Sequence, residues 1–389
     1  MENLFVLTPI ESISVAIAGG LFILQFFYWI VIYARPLRKA SRMRREKAST
    51  LPVSVVVYAG NESENLQKYL PSLLTQKYPE YEVIVVNDGS TDETNDVLKS
   101  LEQKYSHLYY TYIPEEAKYL SRKKLALTLG IKAAKYDILL FTEANCQPVS
   151  DQWIASISSA YTPDTEIVLG FCAYQYTKGF VHQLIAYDNL VSGLQYISSA
   201  LAHRPFTGNG RNLSYRKELF FRNKGYYKSL ALHAGDDDLF INESASRKNT
   251  QVVYSPESIT QTPPVTYFRI WRDTKVSRAS TQRYYKGASF LFFRWEKVTY
   301  FLFLFTSVAI IIMGVNDYEN WLPGALAGSL FLIRYIIKSI VLYRSAKMLQ
   351  QKPTTGWLFV LEFIHPLFDL YVGFYRMFRR RNDYTFRLR

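Results

Sequence analysis

Three adjacent carboxylates stand at positions 236 to 238, in the stretch AGDDDLF. The side chains of Asp236, Asp237 and Asp238 repel one another, and this repulsion raises the pKa of at least one of them. A carboxylate with a raised pKa suits a general base that takes the proton from an attacking hydroxyl group. The same acids also fit the first turn of a helix, where they complement its dipole, and the two roles can coexist.

A second chemical pattern, FTEANCQP, lies at positions 141 to 148. It follows an apolar run and holds Glu143 and Asn145 two residues apart, as at the end of a buried strand. Two acids at this spacing would indicate a metal site, because Mg²⁺ binds one or two carboxylates together with phosphate oxygens and water. Here one of the two is an amide. Three interpretations stay open: a weakened metal site, a site that never needed metal, or an ordinary loop.

Strands and helices alternate around these residues. Apolar runs predict four buried strands, at 53–58, 82–87, 108–113 and 137–142. Helical spacing predicts helices at 62–74 and 121–134, and Ser90 or Thr91 is the expected N-cap of a further helix. This alternation predicts an α/β domain with a mostly parallel sheet.

Polar residues fall at three of the predicted strand ends. They are Asn61 with Glu62, Asn87 with Asp88, and Glu143 with Asn145. Because ligands of parallel sheets bind beyond the carboxyl ends of the strands, we expect these three pairs to line one site.

Four stretches of the sequence resemble those of family 2 glycosyltransferases with the GT-A fold. They are VSVVVYAGNESENLQKYLPSLLTQKYPEYEVIVVNDGSTDET, RKKLALTLGIKAAKYDILLFTEANCQP, FTGNGRNLSYRKELF and GDDDLFINESA. The resemblance covers residues 52 to 285 and implies a Rossmann-like GT-A catalytic domain at 51–290. It also implies an inverting transfer of a sugar from a nucleotide diphosphate sugar to an acceptor hydroxyl.

The resemblance assigns roles to single residues. Asp88 would bind the nucleotide base, expected to be uracil, since a carboxylate accepts a hydrogen bond from a ring N–H; otherwise it is a turn-forming aspartate. Glu62 would contact the nucleotide, and Lys123 would offset charge near the ribose and diphosphate; the alternatives are a helix-start acid and a solvated helix face. Gly210 and Asn212 would lie in a loop facing the acceptor and donor sugar, or else form a tight turn.

Glu143 and Asn145 match the positions of the family's DxD pair, in which one acid meets the ribose and the other holds the divalent ion. They imply Mg²⁺ or Mn²⁺ at a weakened site, because the amide oxygen of Asn145 is neutral and Glu143 reaches further than an aspartate. The family's base maps best on the first two residues of the acidic run. We predict Asp237 as the general base, with Asp236 and Asp238 in support.

The family's last motif, Gln-x-x-Arg-Trp, is degenerate in this sequence. Counted from Trp271, its positions hold Thr274, Ser277 and Arg278, and a second reading places it at 282–286. Only Lys275 and Arg278 keep chemistry suited to phosphate. This departure argues against a processive polymer synthase.

Residues 1–50 are predicted to form one membrane helix followed by a basic linker. Residues 13–34 carry no charge and are long enough to cross a bilayer. Basic residues follow directly: Arg35, Arg38, Lys39, Arg42, Arg44, Arg45 and Lys47. Because positive residues stay cytoplasmic, the N-terminus is predicted outside and the catalytic domain in the cytoplasm.

The C-terminal region, 291–389, contains two further predicted spans, 298–315 and 321–343. Arg334 and Lys338 lie in the second half of the latter, four residues apart and so on one helix face. We expect both side chains to snorkel toward the cytoplasm.

Residues 356–378 are apolar but interrupted by Glu362, His365, Pro366 and Asp369. A full crossing would place the basic tail outside, against the positive-inside rule. We therefore predict an interfacial or re-entrant helix pair broken at Pro366, with a cytoplasmic tail. The alternative is a fourth ordinary span.

Together these features predict a glycosyltransferase of the bacterial inner (plasma) membrane. Its expected partners are a UDP-linked sugar donor, membrane lipids, and a glycan or lipid-linked acceptor. The net charge is +13, but the basic residues flank apolar segments, which indicates membrane topology and not nucleic-acid binding. The altered metal pair and C-terminal motif also leave open a weak or inactive homologue that acts as an assembly subunit in polysaccharide synthesis.

Overall fold

The computed structural model describes residues 8–40, 51–113, 121–316 and 321–378. The strands are β1 (Val53–Ala59), β2 (Tyr81–Asn87), β3 (Leu108–Tyr112), β4 (Ile138–Glu143), β5 (Gln147–Pro148), β6 (Ile167–Leu169), β7 (Cys172–Tyr174), β8 (Leu213–Arg216), β9 (Thr250–Val252) and β10 (Thr260–Thr262). The helices are α1 (Pro9–Phe26), α2 (Arg35–Ala40), α3 (Ser63–Leu74), α4 (Thr94–Lys104), α5 (Arg122–Ala133), α6 (Trp153–Ser158), α7 (Phe180–Leu201), α8 (Lys217–Arg222), α9 (Asp238–Ser244), α10 (Phe268–Thr281), α11 (Ser289–Asn316), α12 (Leu322–Met348) and α13 (Leu358–Met377).

A seven-stranded sheet with the order β3-β2-β1-β4-β8-β6-β9 forms the centre of the α/β domain. The pairs from β3 to β4 are parallel, as is β6 with β9, whereas β8 is antiparallel to both of its neighbours. Strands β5, β10 and β7 form a second, small sheet. The predicted α/β architecture with a mostly parallel sheet is confirmed.

The central strands are buried on both faces because helices cover both sides of the sheet. Val55 and Val57 of β1 pack toward α3, α4 and α6, whereas Val56 packs toward α5 and α7. This explains why the strand reads as a continuous apolar run instead of an alternating one. Helix α5 comes especially close, since a Cβ on Gly130 would lie 2.6 Å from Cγ1 of Val56.

The predicted bounds of the first four strands agree with the structure to within one or two residues. The predicted N-cap at Ser90 or Thr91 is wrong, because helix α4 begins only at Thr94. Its first N–H donates to Oδ1 of Asp92 at 3.2 Å, and Oδ2 of the same carboxylate accepts from the backbone N–H of Ser63 at 3.0 Å. Asp92 therefore joins the beginnings of α3 and α4.

Four helical segments of the described chain are long and apolar enough to cross a membrane. They are Pro9–Tyr33, Ser289–Val315, Leu322–Met348 and Leu358–Met377. The first consists of α1 and a π-helical continuation, Phe27–Tyr33. The three predicted spans are thus present as helices, each extending beyond its predicted bounds at one end.

Helix α13 is continuous through Pro366, so the predicted break at this residue is wrong. A proline inside a helix leaves the carbonyl four residues earlier without its N–H donor. The carbonyl in question belongs to Glu362, and it accepts a hydrogen bond from the hydroxyl of Tyr300 at 3.0 Å. Helix α11 therefore satisfies the group that the proline leaves open. The interfacial placement of this segment stays a prediction.

Arg334 and Lys338 do not snorkel, and that prediction is also wrong. Both lie buried between the membrane helices, where each pairs with one carboxylate oxygen of Glu362. Gln25 of α1 completes the network: its side-chain oxygen accepts from Nε and Nη2 of Arg334 at 3.0 and 2.9 Å. Its amide nitrogen donates to the hydroxyl of Thr299 at 2.9 Å. The polar side chains of four helices thus satisfy one another inside an apolar bundle.

The first apolar helix is tied to the α/β domain through α2. Arg35 donates to the carbonyl of Ser198 at 2.9 Å, and Lys39 donates to that of Leu201 at 3.0 Å. Both carbonyls belong to the last turn of α7, where cations complement the helix dipole. The remaining basic residues of the linker, 42–47, and the basic tail from 379 onward lie outside the described residues.

Candidate active site

The polar pairs predicted at three strand ends lie at one edge of the central sheet. Tyr58 near the end of β1 is in register with Glu143 of β4, and Ala59 is in register with Asn87 of β2. The cleft above this edge is lined by Tyr58, Lys123, Thr142, Glu143, Gly210, Asp236 and Asp237, with Leu127, Phe141, Leu213, Tyr215 and Tyr226 below them.

Lys123, in the first turn of α5, is at the centre of this cleft. Its ammonium group lies 2.9 Å from Oε1 of Glu143 and 3.1 Å from Oδ2 of Asp236. Burial would lower the pKa of Lys123, but the charges of Asp236 and Glu143 outweigh it and hold this pKa well above its ordinary value. Lys123 therefore stays charged and joins the loop after β4 to the acidic run.

Arg211 is a site residue that sequence reasoning missed. Its Nε donates to Oε2 of Glu143 at 2.7 Å, and its Nη1 donates to the hydroxyl of Tyr174 at 3.1 Å. Burial alone would raise the pKa of Glu143, but Lys123 and Arg211 together hold it well below its usual range. A basic residue inside the glycine loop TGNGRN, between two residues already singled out, was the available signal.

Asp237 is held in place by two backbone N–H groups. Its Oδ1 accepts from the N–H of Asp238 at 2.7 Å, and its Oδ2 accepts from the N–H of Gly210 at 2.8 Å. A Cβ on Gly210 would lie 3.3 Å from the Cβ of Asp237, so a side chain there would crowd the carboxylate. Each oxygen of Asp237 keeps a second lone pair that can face the cleft.

The raised pKa predicted for the acidic run falls on Asp238. Burial, with the charge of Asp237 adding to it, raises the pKa of Asp238 to about 6. Its Oδ2 accepts from the hydroxyls of Thr281 and Tyr285, and its side chain is buried. Asp238 is therefore a structural anchor beneath the other two carboxylates. It also ties the second reading of the C-terminal motif, 282–286, to the site.

Lys124 holds the segment that leads into the acidic run. It is completely buried, and its ammonium group donates to the carbonyls of Ser229, Leu232 and Ala234. Desolvation lowers the pKa of Lys124 to about 8. The two neighbouring lysines of α5 thus have different roles: Lys123 faces the cleft, and Lys124 fixes the loop behind it.

Asp88 and Glu62 lie at the same edge of the sheet, directly after β2 and at the start of α3. Oδ1 of Asp88 accepts from Nε of Arg122, and its Oδ2 accepts from the hydroxyl of Tyr58 at 2.6 Å. The carboxylate of Glu62 accepts from the side-chain amide of Asn65 at 2.5 Å, and burial raises its pKa. Both acids are oriented by neighbours and keep lone pairs for a further partner.

Asn212 does not face the cleft, which departs from its predicted position. It is completely buried. Its amide nitrogen donates to the carbonyls of Phe171 and Ser258 at 2.8 and 2.7 Å, and its oxygen accepts from the indole of Trp153 at 3.2 Å. A Cβ on Gly170 would lie 2.5 Å from this amide. Asn212 therefore anchors the loop from below.

Replacing Asn212 by alanine is expected to affect stability and not nucleotide binding. The change leaves the indole N–H of Trp153 and the carbonyl of Ser258 without partners, whereas the carbonyl of Phe171 still accepts from the N–H of Thr260. The free energy of unfolding should therefore fall by about 2–3 kcal/mol. Denaturant unfolding in detergent measures this, and nucleotide titration of the folded fraction should give an unchanged Kd. Asn223→Ala, which removes one contact to Ser244 at the surface of α8, is the matched control. A weakened Kd with unchanged stability would restore Asn212 to the binding site.

The two basic residues predicted on α10 separate in the structure. Desolvation would lower the pKa of Arg278, but the nearby charges of Asp237 and Asp238 raise it, which puts Arg278 close to the acidic run. Lys275 instead lies in another cluster, 2.5 Å from Oδ1 of Asp188 and 3.3 Å from Oδ1 of Asp369. The structure therefore does not bring Lys275 to the predicted phosphate site.

The residues predicted to hold Mg²⁺ or Mn²⁺ do not fit a divalent ion as they are arranged. Both oxygens of Glu143 already accept from cations, and Oδ1 of Asn145 accepts from the thiol of Cys146 at 3.4 Å. A second group of potential ligands, Asp188, His365 and Asp369, lies within the described residues. It is occupied by the ammonium group of Lys275, so it does not offer a cation site either.

Comparison with known proteins relates this chain to glycosyltransferases. Residues 54–220 match the family model described as Glycosyl transferase family 2. The glycosyltransferase AglE of Haloferax volcanii is 33% identical over 136 residues, which cover 34% of this chain and 43% of AglE. The poly-beta-1,6-N-acetyl-D-glucosamine synthase of Staphylococcus epidermidis is 29% identical over 130 residues, covering 32% of this chain and 30% of the synthase. The chain thus spans less than half the length of either relative.

A solved structure extends the likeness to most of the chain. The mannosyltransferase PcManGT from Pyrobaculum calidifontis, in complex with GDP-Man and Mn²⁺, superimposes with a TM-score of 0.55 and covers 94% of this chain and 99% of its own. The sequence identity is 17%, so the likeness concerns the GT-A fold.

Proposed function

We propose that this chain, whose residues 54–220 form a glycosyl transferase family 2 domain, is an inverting glycosyltransferase. It would move a sugar from a nucleotide diphosphate sugar to a hydroxyl group of a membrane-bound glycan or lipid. One observation carries the proposal: Lys123 connects the loop after β4 to Asp236 of the acidic run, at the carboxyl edge of the sheet. Donor-binding and proton-accepting groups are thereby assembled in one cleft.

The donor would lie along the strand ends, with its base toward Asp88. The carboxylate of Asp88 accepts from the ring N–H of uracil, which favours a UDP-linked donor. Glu62 is placed to contact the nucleoside. Lys123 and Arg278 face the diphosphate, and their charges stabilise the nucleoside diphosphate as it leaves.

Asp237 would act as the general base. The acceptor hydroxyl attacks the anomeric carbon from the side opposite the leaving group, and its proton passes to the carboxylate of Asp237. The new bond joins the acceptor oxygen to the anomeric carbon while the bond from that carbon to the diphosphate breaks. The electron pair of the broken bond leaves with the nucleoside diphosphate, and the configuration of the sugar inverts. The N–H groups of Gly210 and Asp238 support this role by orienting the base.

The acceptor would be held at the membrane. Four helices able to cross a membrane support a cleft beside a bilayer, where tethering would raise the effective concentration of a lipid-linked acceptor. The basic residues after the first span support a cytoplasmic catalytic domain with the N-terminus outside. The expected location is the inner membrane of a bacterium.

A transfer assay tests the proposed function. Full-length protein is incubated with UDP-, GDP- and dTDP-linked sugars and membrane lipid extract, with and without Mg²⁺ or Mn²⁺, and released nucleoside diphosphate is measured. We expect acceptor-dependent release from a UDP-linked donor. Absence of release from every donor would overturn the proposal. It would favour the second candidate, an inactive assembly subunit, which the amide at Asn145 motivates.

A further inference from the structure

Glu143 is the acid of the EAN stretch, and the protein itself neutralises it. Lys123 lies 2.9 Å from one of its oxygens and Arg211 lies 2.7 Å from the other. The side chains of all three residues are largely buried, so solvent screens these pairs only weakly. A divalent ion would have to displace one cation or share a carboxylate that carries two.

Asn145 does not compensate for this occupancy. It contributes one neutral oxygen, and that oxygen accepts from the thiol of Cys146. Mg²⁺ usually keeps several waters and is bound through one or two carboxylates together with substrate phosphates. Glu143 carries the one negative charge of the two residues in the expected metal positions. This charge is already paired with Lys123 and Arg211.

Arg211 keeps hydrogen-bond donors that contact no acceptor among the described residues. Its Nε is used by Glu143 and its Nη1 by the hydroxyl of Tyr174, whereas its Nη2 has no hydrogen-bond partner among the described residues. The ring centroid of Tyr174 lies 5.7 Å from the guanidinium carbon of Arg211, and this contact further holds the planar guanidinium group in place. Arg278, an exposed residue whose charge interacts with those of Asp237 and Asp238, forms no ion pair within the described part of the chain.

We propose that Arg211, with Lys123 and Arg278, binds the donor diphosphate directly and that donor binding needs no divalent cation. This inference rests on the proposed function and names how the same cleft recognises its substrate. A guanidinium group stays charged at all relevant pH values and offers a planar fork that matches phosphate oxygens. Cations that are part of the protein thus take the place of an ion bound between carboxylates and phosphate.

Nucleotide titration without and with metal tests this inference. Full-length protein in detergent is titrated by calorimetry with UDP, GDP, CDP and dTDP, first in EDTA and then in excess Mg²⁺ or Mn²⁺. For the nucleotide that binds best, we expect a Kd in EDTA within about threefold of the Kd with metal, a difference smaller than that of one ordinary hydrogen bond. Binding that disappears in EDTA and returns with metal would overturn the inference while leaving the proposed function intact.

The variant Arg211→Gln tests whether Arg211 itself binds the diphosphate. It should weaken nucleotide binding in EDTA by roughly 10- to 100-fold, as expected for the loss of charge-assisted hydrogen bonds. Arg222→Gln, which removes an exposed arginine paired with Glu166, is the matched control and should leave the Kd unchanged. Thermal unfolding of both variants reports whether the protein stays folded, and Arg211→Lys provides a charged variant if glutamine is not tolerated.

The outcomes separate the two proposals. Wild-type affinity in Arg211→Gln or Arg211→Lys would overturn the role of the guanidinium fork. Failure of the wild type to bind any of the four nucleotides under either condition would overturn this inference together with the proposed function. Metal-independent binding without transfer from any donor would uphold the inference and contradict only the transferase activity.

Discussion

Replacing Asp237 by asparagine is expected to lower the rate of sugar transfer by about 100- to 10,000-fold, the usual contribution of a positioned general base. Asparagine has the same shape and can still accept from one of the N–H groups of Gly210 and Asp238. It cannot take a proton from the acceptor. Nucleotide binding should remain largely intact, because Lys123, Arg211 and Arg278 are unchanged. Transfer rates and nucleotide Kd values of wild type and variant provide the measurement.

Two further variants make this prediction specific. Asp137→Asn alters a half-exposed carboxylate paired with Arg216 and should change neither quantity. Asp236→Asn removes a partner of Lys123, so it should change donor binding more than Asp237→Asn does. Lost nucleotide binding with retained turnover in Asp237→Asn would show that its assigned role is wrong. Lost turnover in Asp236→Asn alone would move the base to Asp236.

Replacing Glu362 by glutamine is expected to destabilise the membrane region by about 3–5 kcal/mol, the usual cost of breaking a buried ion pair. Both oxygens of this carboxylate pair with cations, Arg334 and Lys338, and all three side chains are buried. The glutamine would leave two buried cations facing one neutral amide. Thermal unfolding in detergent, followed by size-exclusion chromatography, measures the loss of folded protein.

The matched control is Glu64→Gln, which changes an exposed acid on α3 and should have no effect. A triple variant in which Arg334, Lys338 and Glu362 are all replaced by methionine should recover part of the lost stability, because the two cations that Glu362 neutralised are then absent as well. If Glu362→Gln were as stable as the wild type, the network would not hold the membrane helices together as described.

The strands, their order of appearance and their polar ends were predictable because the signals are local. Val53–Ala59 is a run of apolar and β-branched residues, and its burial on both faces follows from the helices on either side. The carboxyl ends of parallel strands meet at one edge by geometry. Glu62, Asp88 and Glu143 could therefore be placed together before the contacts were known.

Contacts between distant parts of the chain were not predictable in the same way. Gln25 and Arg334 are 309 residues apart, and nothing in either neighbourhood specifies the other. Snorkelling was the expectation for Arg334 because the buried acid that neutralises it lies on another helix. Asn212 looked like a ligand-facing amide for a similar reason, since its three partners come from separate segments.

Within the site, too, contacts between residues far apart in the chain could not be predicted from the sequence. The acidic run was recognisable, but which carboxylate is buried depends on Thr281 and Tyr285, more than 40 residues later in the chain. The EAN stretch was recognisable as a departure from a metal pair. That Lys123 and Arg211 would take both oxygens of Glu143 could be read only from the folded chain.

The anomeric configuration of the product tests the central claim most directly. Wild-type protein is incubated with an α-linked UDP-sugar and membrane lipid extract, and the transferred sugar is examined by proton NMR. Attack by a hydroxyl that Asp237 deprotonates predicts a β-linked product, formed by the wild type and lost in Asp237→Asn. A product that retains the α configuration, or the absence of any transferred sugar with every donor, would contradict the account.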